Sequence, residues 1–255
     1  MEIAFIEQLT KRYNQLAKGV VDYSKYAYYA ITHHSTSIEG STLTEVQVIN
    51  LLEYGKTAIS KPFEHHLMVH DHFKALQYVV ELAKIKDDIT PELIRSIGAI
   101  VMSSTGGEVH SMSGTYNIAN GDFRLSTVRA GTRTFIDFRK VPAEIEKLCA
   151  EINEGLKSAK TFEQKSQLAF YAHFRLVSIH PFGDGNGRTS RLFMNYIQAR
   201  FKLPLSIVFK QDRIKYINAL ELARIKEDLT PFYNFMFGQY AKFLVKEIKE
   251  LVKGQ

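Results

Sequence analysis

His180-Pro181-Phe182-Gly183-Asp184-Gly185-Asn186-Gly187-Arg188-Thr189-Ser190-Arg191 is the stretch that decides how this 255-residue chain is read. Three of the fifteen glycines fall in its central five residues. Apolar residues return every three or four positions from about Ser166 to Ile179 before it and from about Gly187 to Arg200 after it, so it is a glycine-rich loop that opens a helix. The first turn of a helix offers amides without intrahelical partners and the positive end of the macrodipole, and glycine lets an anion come close. Arg188 and Arg191 stand three positions apart on one helical face, where both guanidinium groups can serve a polyphosphate. Gly183, Gly185, Gly187, Arg188 and Arg191 are therefore candidate phosphate ligands. Asp184 is a candidate Mg²⁺ ligand, because that ion is usually held by one or two carboxylates together with phosphate oxygens and water. His180, at the loop entrance, is a candidate general base: a neutral imidazole can take a proton from a hydroxyl nucleophile. The pattern is neither a P-loop, which needs Lys-Ser or Lys-Thr after the last glycine, nor the spaced glycine fingerprint of a dinucleotide fold.

Outward from this loop the chain reads as mainly α. Helix starts are marked by Thr42 with Glu45 and Thr161 with Gln164 as capping boxes, and by Thr90-Pro91 and Thr230-Pro231, which put proline in the first turn. Thr230 to Val252 reads as one amphipathic helix. One stretch differs: Gly121 to Phe135 is β-branched and turned by Gly131, which predicts a small β-hairpin flap. No linker, repeat or low-complexity run interrupts the chain, so one compact unit is expected.

Composition narrows the function. At 45% apolar residues the chain can bury a large core. A net charge of +6 is spread among interleaved acids and bases, without the clustered stripe that a nucleic-acid partner requires, and none is expected. The one cysteine, Cys149, excludes an internal disulfide and suits a cytoplasmic protein, where its role is helix packing. No signal-like start and no run of about 18 apolar residues is present, so no membrane association is expected. His65, His66, His70 and His72 around Asp71 lack the His-Glu-x-x-His order of a zinc helix and are better read as packing and capping residues, as are His33 and His34.

The stretch from His180 to Arg191 resembles the signature of the Fic (filamentation induced by cAMP) family, His-x-Phe-x-(Asp/Glu)-Gly-Asn-Gly-Arg-x-x-Arg, with every specified position filled. The resemblance implies a Fic-type helical bundle with a β-hairpin flap. It makes His180 the general base, Asp184 the Mg²⁺ ligand, Asn186 with the amides of Gly185 and Gly187 a catalytic anion hole, and Arg188 and Arg191 phosphate clamps. Gly121-Asp122-Phe123-Arg124 through Gly131 is similar to the family's flap, which holds a target segment by strand addition and would put Val128 against the nucleotide. Tyr216 and Asn218, in Tyr216-Ile217-Asn218-Ala219-Leu220, fall where the family holds adenine. The similar stretches run from about Thr90 to Phe235.

Upstream, Ser35-Thr36-Ser37-Ile38-Glu39-Gly40 resembles the family's inhibitory motif, (Ser/Thr)-x-x-x-Glu-(Gly/Asn), whose glutamate pairs with the second arginine of the signature, here Arg191. The organisation implied is residues 1–89 as N-terminal helices, with the inhibitory helix at about 30–40, and residues 90–255 as the Fic core with its C-terminal helices. The function implied is transfer of AMP from Mg-ATP to a Ser, Thr or Tyr hydroxyl of a protein, with self-modification and homodimerisation as accompanying properties. Removal of AMP or transfer of another phosphoryl-linked group at the same site, and a non-catalytic ATP-sensing module, are the alternatives.

Overall fold

A computed structural model describes residues 2–19, 23–130 and 133–253. Among them lie ten α-helices and two short antiparallel hairpins: α1 (Ile3–Ala17), α2 (Tyr23–Ile38), α3 (Glu45–Tyr54), α4 (Phe63–Leu82), α5 (Pro91–Val101), β1 (Glu108–Ser111), β2 (Gly114–Asn117), β3 (Arg129–Ala130), β4 (Arg133–Thr134), α6 (Val141–Ser158), α7 (Phe162–Ile179), α8 (Asn186–Arg200), α9 (Arg213–Ile225) and α10 (Thr230–Lys253). The mainly helical class with a small flap is the one expected.

Local chemistry sets the boundaries. Thr161 and Gln164 form the reciprocal capping box of α7, and Thr90 accepts from the Leu93 amide at the start of α5 with Pro91 in the first turn. Ahead of α3 the box is Thr44 with Gln47, and this corrects the Thr42–Glu45 assignment. The sequence Thr42-Leu43-Thr44-Glu45-Val46-Gln47 fits the motif in two frames, and Thr44 is the residue in extended conformation next to the first helical turn. The Thr42 amide instead donates to His65 Nδ1 at 3.2 Å.

The signature helix α8 is the axis of the fold. Twelve of its fifteen residues are buried, under α7, α4, α5 and the end of α2. Towards its C-terminal end polar side chains are paired inside: Gln198 accepts from the Ser206 amide at 2.8 Å, and Asn195 Nδ2 donates to the Ser206 carbonyl at 3.1 Å. One buried apolar cluster runs from Ile6 in α1 to Leu244 in α10, and α2 contributes Ala27, Ala30, Ile31 and Ile38 to it. Cys149 packs in this core from α6, where burial pushes its thiol up to about 12.

The flap stretch is less regular than a continuous hairpin. Arg129 pairs with Thr134 and Ala130 with Arg133, and the turn at Gly131 and Thr132 lies outside the described residues. A hairpin not expected from sequence, β1–β2, pairs Glu108 with Asn117 through Ser111 with Gly114. In α4, His66 Nε2 accepts from the Ala58 amide at 2.9 Å and Asp71 accepts from the backbone and hydroxyl of Ser104, while neither ring nitrogen of the buried His72 has a hydrogen-bond partner among the described residues. Among the described residues no three metal-ligating side chains converge, and no helix is long and apolar enough to cross a membrane.

Buried histidines give this fold a pH dependence. Burial lowers His33 to about 4 and His34 and His173 to about 3, and holds His72 well below its ordinary value. Each is neutral in the fold, while the unfolded chain takes up a proton at the ordinary value near ~6.5. The unfolded state thus binds more protons as pH falls, and stability present at pH 7 is lost through the window from about 6.5 down to the folded values. The urea midpoint is expected to fall steadily from pH 7 to pH 5, each histidine removing about 1.4 kcal/mol per pH unit at the steepest. A midpoint constant across that range would contradict burial of the neutral rings.

Candidate active site

The loop between α7 and α8 is locked by backbone contacts. His180 ends α7 in the left-handed conformation (φ 55°), with its amide on the Leu176 carbonyl at 3.0 Å. Asn186 closes the loop: its Oδ1 accepts from the Phe182 amide at 3.0 Å and its Nδ2 donates to the Phe182 carbonyl at 2.9 Å. The oxygen and one N–H of this side chain are committed to the loop, which leaves Asn186 its second Nδ2–H and its backbone amide for an anion. Phe182 is buried against Gly98 of α5, and Gly183 lies so close to Tyr116 and Ile118 that a Cβ there would clash. Gly185 takes φ 79° against Met102, a conformation that glycine adopts without penalty. The result is a rigid first turn in which the amides of Asn186, Gly187 and Arg188 have no helical acceptor.

Two arginines and two carboxylates surround that turn. The Arg188 side chain is 2% exposed; its Nη2 reaches Met102 Sδ at 3.1 Å, while Nε and Nη1 are buried without a hydrogen-bond partner. Burial lowers its pKa, with Asp184 and Glu39 acting against this. Asp184 is 68% exposed, 3.8 Å from Arg188, with its carboxylate facing solvent at the mouth of the site. Arg191 is occupied by the end of α2: Nε donates to Ser35 Oγ and Nη2 to the Ser35 carbonyl, both at 2.9 Å, and Nη2 also meets Glu39 Oε1 at 2.6 Å. A Cβ on Gly187 would collide with that same oxygen, so the Glu39 carboxylate rests directly on the first turn of α8. Burial acts to raise the Glu39 pKa, but Arg191, Arg188 and Arg213 outweigh it, and the net shift is downward. Gly40 follows at φ 107°, where the chain turns away from α2. The helix carrying this motif is longer than the segment 30–40 expected, spanning Tyr23–Ile38 with Glu39 just past its end.

His180 stacks on Phe135 of the flap, ring centroids 3.8 Å apart and 17° from parallel. Burial pushes its pKa down to about 4, so the ring is neutral at physiological pH. Its Nδ1 lies 3.4 Å from the Val177 carbonyl, which can only accept; that contact places the proton on Nδ1 and leaves Nε2 as the base. The flap is held in register by Arg124, fully buried, which donates to the carbonyls of His180 at 2.8 Å and of Ser126 and Ile136 at 2.7 Å.

A cleft of about 440 Å³ runs from Glu39, Gly187 and His180 along α9. Its α9 wall consists of Arg213, Tyr216, Ile217, Leu220, Glu221 and Arg224, one face at helical spacing. Tyr216 belongs to it, buried, with its hydroxyl 2.8 Å from His173 Nε2. Asn218 does not: two residues on from Tyr216 it points elsewhere, is exposed, and does not line the cleft. Val128 pairs through its carbonyl with the Phe135 amide at 3.2 Å, and it is Phe135, not Val128, that lines the cleft. Phe135, Arg213, Glu221 and Arg224 carry no motif of their own; only the helical period of α9, counted from Tyr216, would have found the last three.

The site is thus a buried helix start with unpartnered first-turn amides, a neutral histidine at its edge and a hairpin alongside. Residues 88–198 match the model of the Fic/DOC family. The chain belongs to the Fic/DOC family. It is similar to the protein adenylyltransferase Fic of Drosophila persimilis, 34% identical over 217 residues, a match that takes in 83% of this chain and 39% of the relative. The chain thus spans about two fifths of the length of the curated relatives it matches. Its fold is that of a Fic-domain-containing signalling protein from Bacteroides thetaiotaomicron (TM-score 0.82, 23% identity, 98% of this chain and 97% of that one). It is also that of residues 134–508 of Fic-1 from C. elegans (TM-score 0.77, 23% identity, 99% and 74%).

The stacking of Phe135 on His180 is testable by NMR titration of the His180 ring. In the unliganded chain it should titrate near pH 4, and Phe135→Ala, by admitting water, should raise the midpoint by at least one unit toward ~6.5. An unchanged midpoint would show that Phe135 does not keep the ring dry.

Proposed function

We propose that the chain is a protein adenylyltransferase that moves AMP from ATP onto a hydroxyl side chain of a protein, and that Glu39 holds it in check. The observation that carries this reading is the Glu39 carboxylate lying on the first turn of α8 and 2.6 Å from Arg191: an anion of the chain's own occupies the seat that a phosphate would take. The two unpartnered N–H groups of Arg188 support the same reading, since a buried guanidinium left without acceptors is expected to meet an anion.

In the mechanism, the first-turn amides and Arg188 hold the phosphates, and Arg191 takes the terminal one once Glu39 has turned away. The target hydroxyl oxygen attacks the α-phosphorus in line; a new P–O bond forms, the bond to the β-phosphate bridging oxygen breaks, and pyrophosphate leaves. Nε2 of His180 takes the hydroxyl proton, with Nδ1–H kept on the Val177 carbonyl. The flap edge beside Phe135 is where an extended target segment would add as a strand. Positioning and charge stabilisation supply most of the rate, and the base about 10²–10⁴-fold.

Asp184 suits Mg²⁺: it is one exposed carboxylate beside the phosphate seat, and phosphate oxygens and water would complete the shell. The ion would neutralise charge on the phosphates as pyrophosphate departs. Residues 1–89 then supply regulation and residues 90–255 the transfer machinery, in a protein that we place in the cytoplasm.

Intact and peptide mass after incubation with Mg-ATP, alone and with lysate, tests the proposal. Glu39→Gly should gain the mass of AMP on itself or on a lysate protein, at least tenfold more than wild type, and Glu39→Gly combined with His180→Ala should gain none. ATP binding without any adduct in Glu39→Gly would overturn the transferase reading.

A further inference from the structure

Arg188 and Arg191 stand at one helix start, yet the fold holds them with opposite chemistry. Arg191 is met by the Glu39 carboxylate at 2.6 Å. The one hydrogen bond that the Arg188 guanidinium makes among the described residues goes instead to a thioether, from Nη2 to Met102 Sδ at 3.1 Å. Three acids act on Arg188 through their charge, Asp184, Glu39 and Asp71, and each is engaged or turned elsewhere. Asp184 stays 3.8 Å away on the solvent side, Glu39 is on Arg191, and Asp71, fully buried, takes the Ser104 amide at 2.7 Å and the Ser104 hydroxyl at 2.9 Å. His72, also fully buried, lies within the field of both arginines, and burial together with their charge keeps its ring neutral.

Met102 is placed for this contact by the end of α5. It is the C-cap residue of that helix, with its amide on the Gly98 carbonyl at 3.1 Å and its own carbonyl accepting from the Gly106 amide at 2.7 Å. Asp71 pins Ser104 inside the same turn from α4. The Met102 side chain is buried and fills the space beside Gly185, where a Cβ would collide with its sulfur. One side chain thus touches both the glycine that opens α8 and the guanidinium one turn into it. A thioether is a weak acceptor and carries no charge. It can fix the direction of Nη2 without neutralising the group, and Nε and Nη1 are left unpartnered. A carboxylate in this position would do to Arg188 what Glu39 does to Arg191.

Resting on the nucleotide reading above, we infer that Met102 is a positioning residue for Arg188: its sulfur orients the guanidinium, and the neutrality of that sulfur leaves the charge for a phosphate. Met102 acts on the phosphates only through Arg188. The two arginines then divide the work of the seat. Arg191 is the one that the chain can cover with its own acid, and Arg188 is the one kept permanently uncovered.

Titration calorimetry with Mg-ATP and AMP-transfer kinetics test this in the full-length Glu39→Gly chain, alone and with a second substitution at Met102. Met102→Leu keeps the volume and removes the acceptor; it should weaken ATP about fivefold and lower kcat/KM for ATP by a similar factor. Its Tm should stay within about 4 °C of the parent. Met102→Gln supplies a neutral acceptor of the same reach and should bind ATP within about threefold of the parent. Met102→Glu has that reach with a charge, and should bind ATP at least about thirtyfold more weakly than Met102→Gln. If Met102→Leu does not fold, the comparison of Gln with Glu decides alone. ATP binding unchanged in Met102→Leu overturns the inference, and so does a loss in Met102→Gln as large as that in Met102→Leu, which would mark packing alone. Equal binding by Met102→Gln and Met102→Glu overturns the part played by neutrality. Each of these outcomes leaves the nucleotide site intact. A folded Glu39→Gly chain that binds no Mg-ATP overturns the nucleotide reading and this inference with it.

Discussion

A buried helix that begins with two guanidinium groups and a turn of unpartnered amides needs negative charge at that end. In this chain the end of α2 supplies it: Glu39 reaches Arg191 and the first turn of α8, and the Ser35 carbonyl and hydroxyl take two further Arg191 donors. Breaking such a pair by removing one member would leave a buried charge unpaired, which costs about 3–5 kcal/mol. Exchanging Glu39 for a phosphate avoids that cost, because Arg191 passes from one oxygen ligand to another. On the proposed reading, the same chemistry that would attract a nucleotide makes the site easy for the chain to block, and the balance between the two would be a small difference between similar interactions.

Arg124 does for the flap what Glu39 does for the helix start, with the charges reversed. It is a fully buried cation held by three carbonyls, those of His180, Ser126 and Ile136, with no carboxylate hydrogen-bonded to it among the described residues. Because one of those carbonyls belongs to His180, the position of the base and the position of the flap are set by one side chain. Phe135 then arrives over the imidazole as a consequence of that register, and it excludes the water that would otherwise hold the ring near its ordinary pKa. Placement and dryness of the base thus have a common origin in a residue with no chemical part in the transfer.

The helical class, the loop on the start of α8 and the pairing of Glu39 with Arg191 were legible in the sequence because each rests on local spacing or on a signature filled at every position. The loop resolved least well where one residue type serves two purposes. Asn186 reads as an anion-hole residue, yet the oxygen and one N–H of its side chain are spent on the backbone of Phe182, and Gly183 yields to the packing of Tyr116 and Ile118. The distal cleft was harder still. Tyr216 and Asn218 are two positions apart and so cannot share a narrow helical face, and the side chains that do face the cleft with Tyr216, among them Glu221 and Arg224, follow only once the inward face of α9 is known. Val128 stands opposite Phe135 in the register of the flap, and it is the larger Phe135 ring that lines the cleft. The capping frame ahead of α3 was ambiguous for a simpler reason: two threonines two residues apart both satisfied the motif.

How the Glu39 contact can be released is constrained by what else α2 does. Ala27, Ala30, Ile31 and Ile38 belong to the main core, and Thr32, His33, His34 and Thr36 are buried as well. Undocking the helix would expose all of them, at about 1.5–3 kcal/mol for each large apolar side chain, far more than the lock itself is worth. Glu39, by contrast, lies one residue beyond the helix, is 32% exposed on its side chain, and is followed by a glycine in the left-handed conformation. Rotation of that one side chain breaks the ion pair and leaves both Ser35 contacts to Arg191 in place. On the proposed reading an incoming phosphate requires an arginine still oriented from behind, so the helix whose end covers the site would also keep Arg191 aimed once Glu39 has turned away.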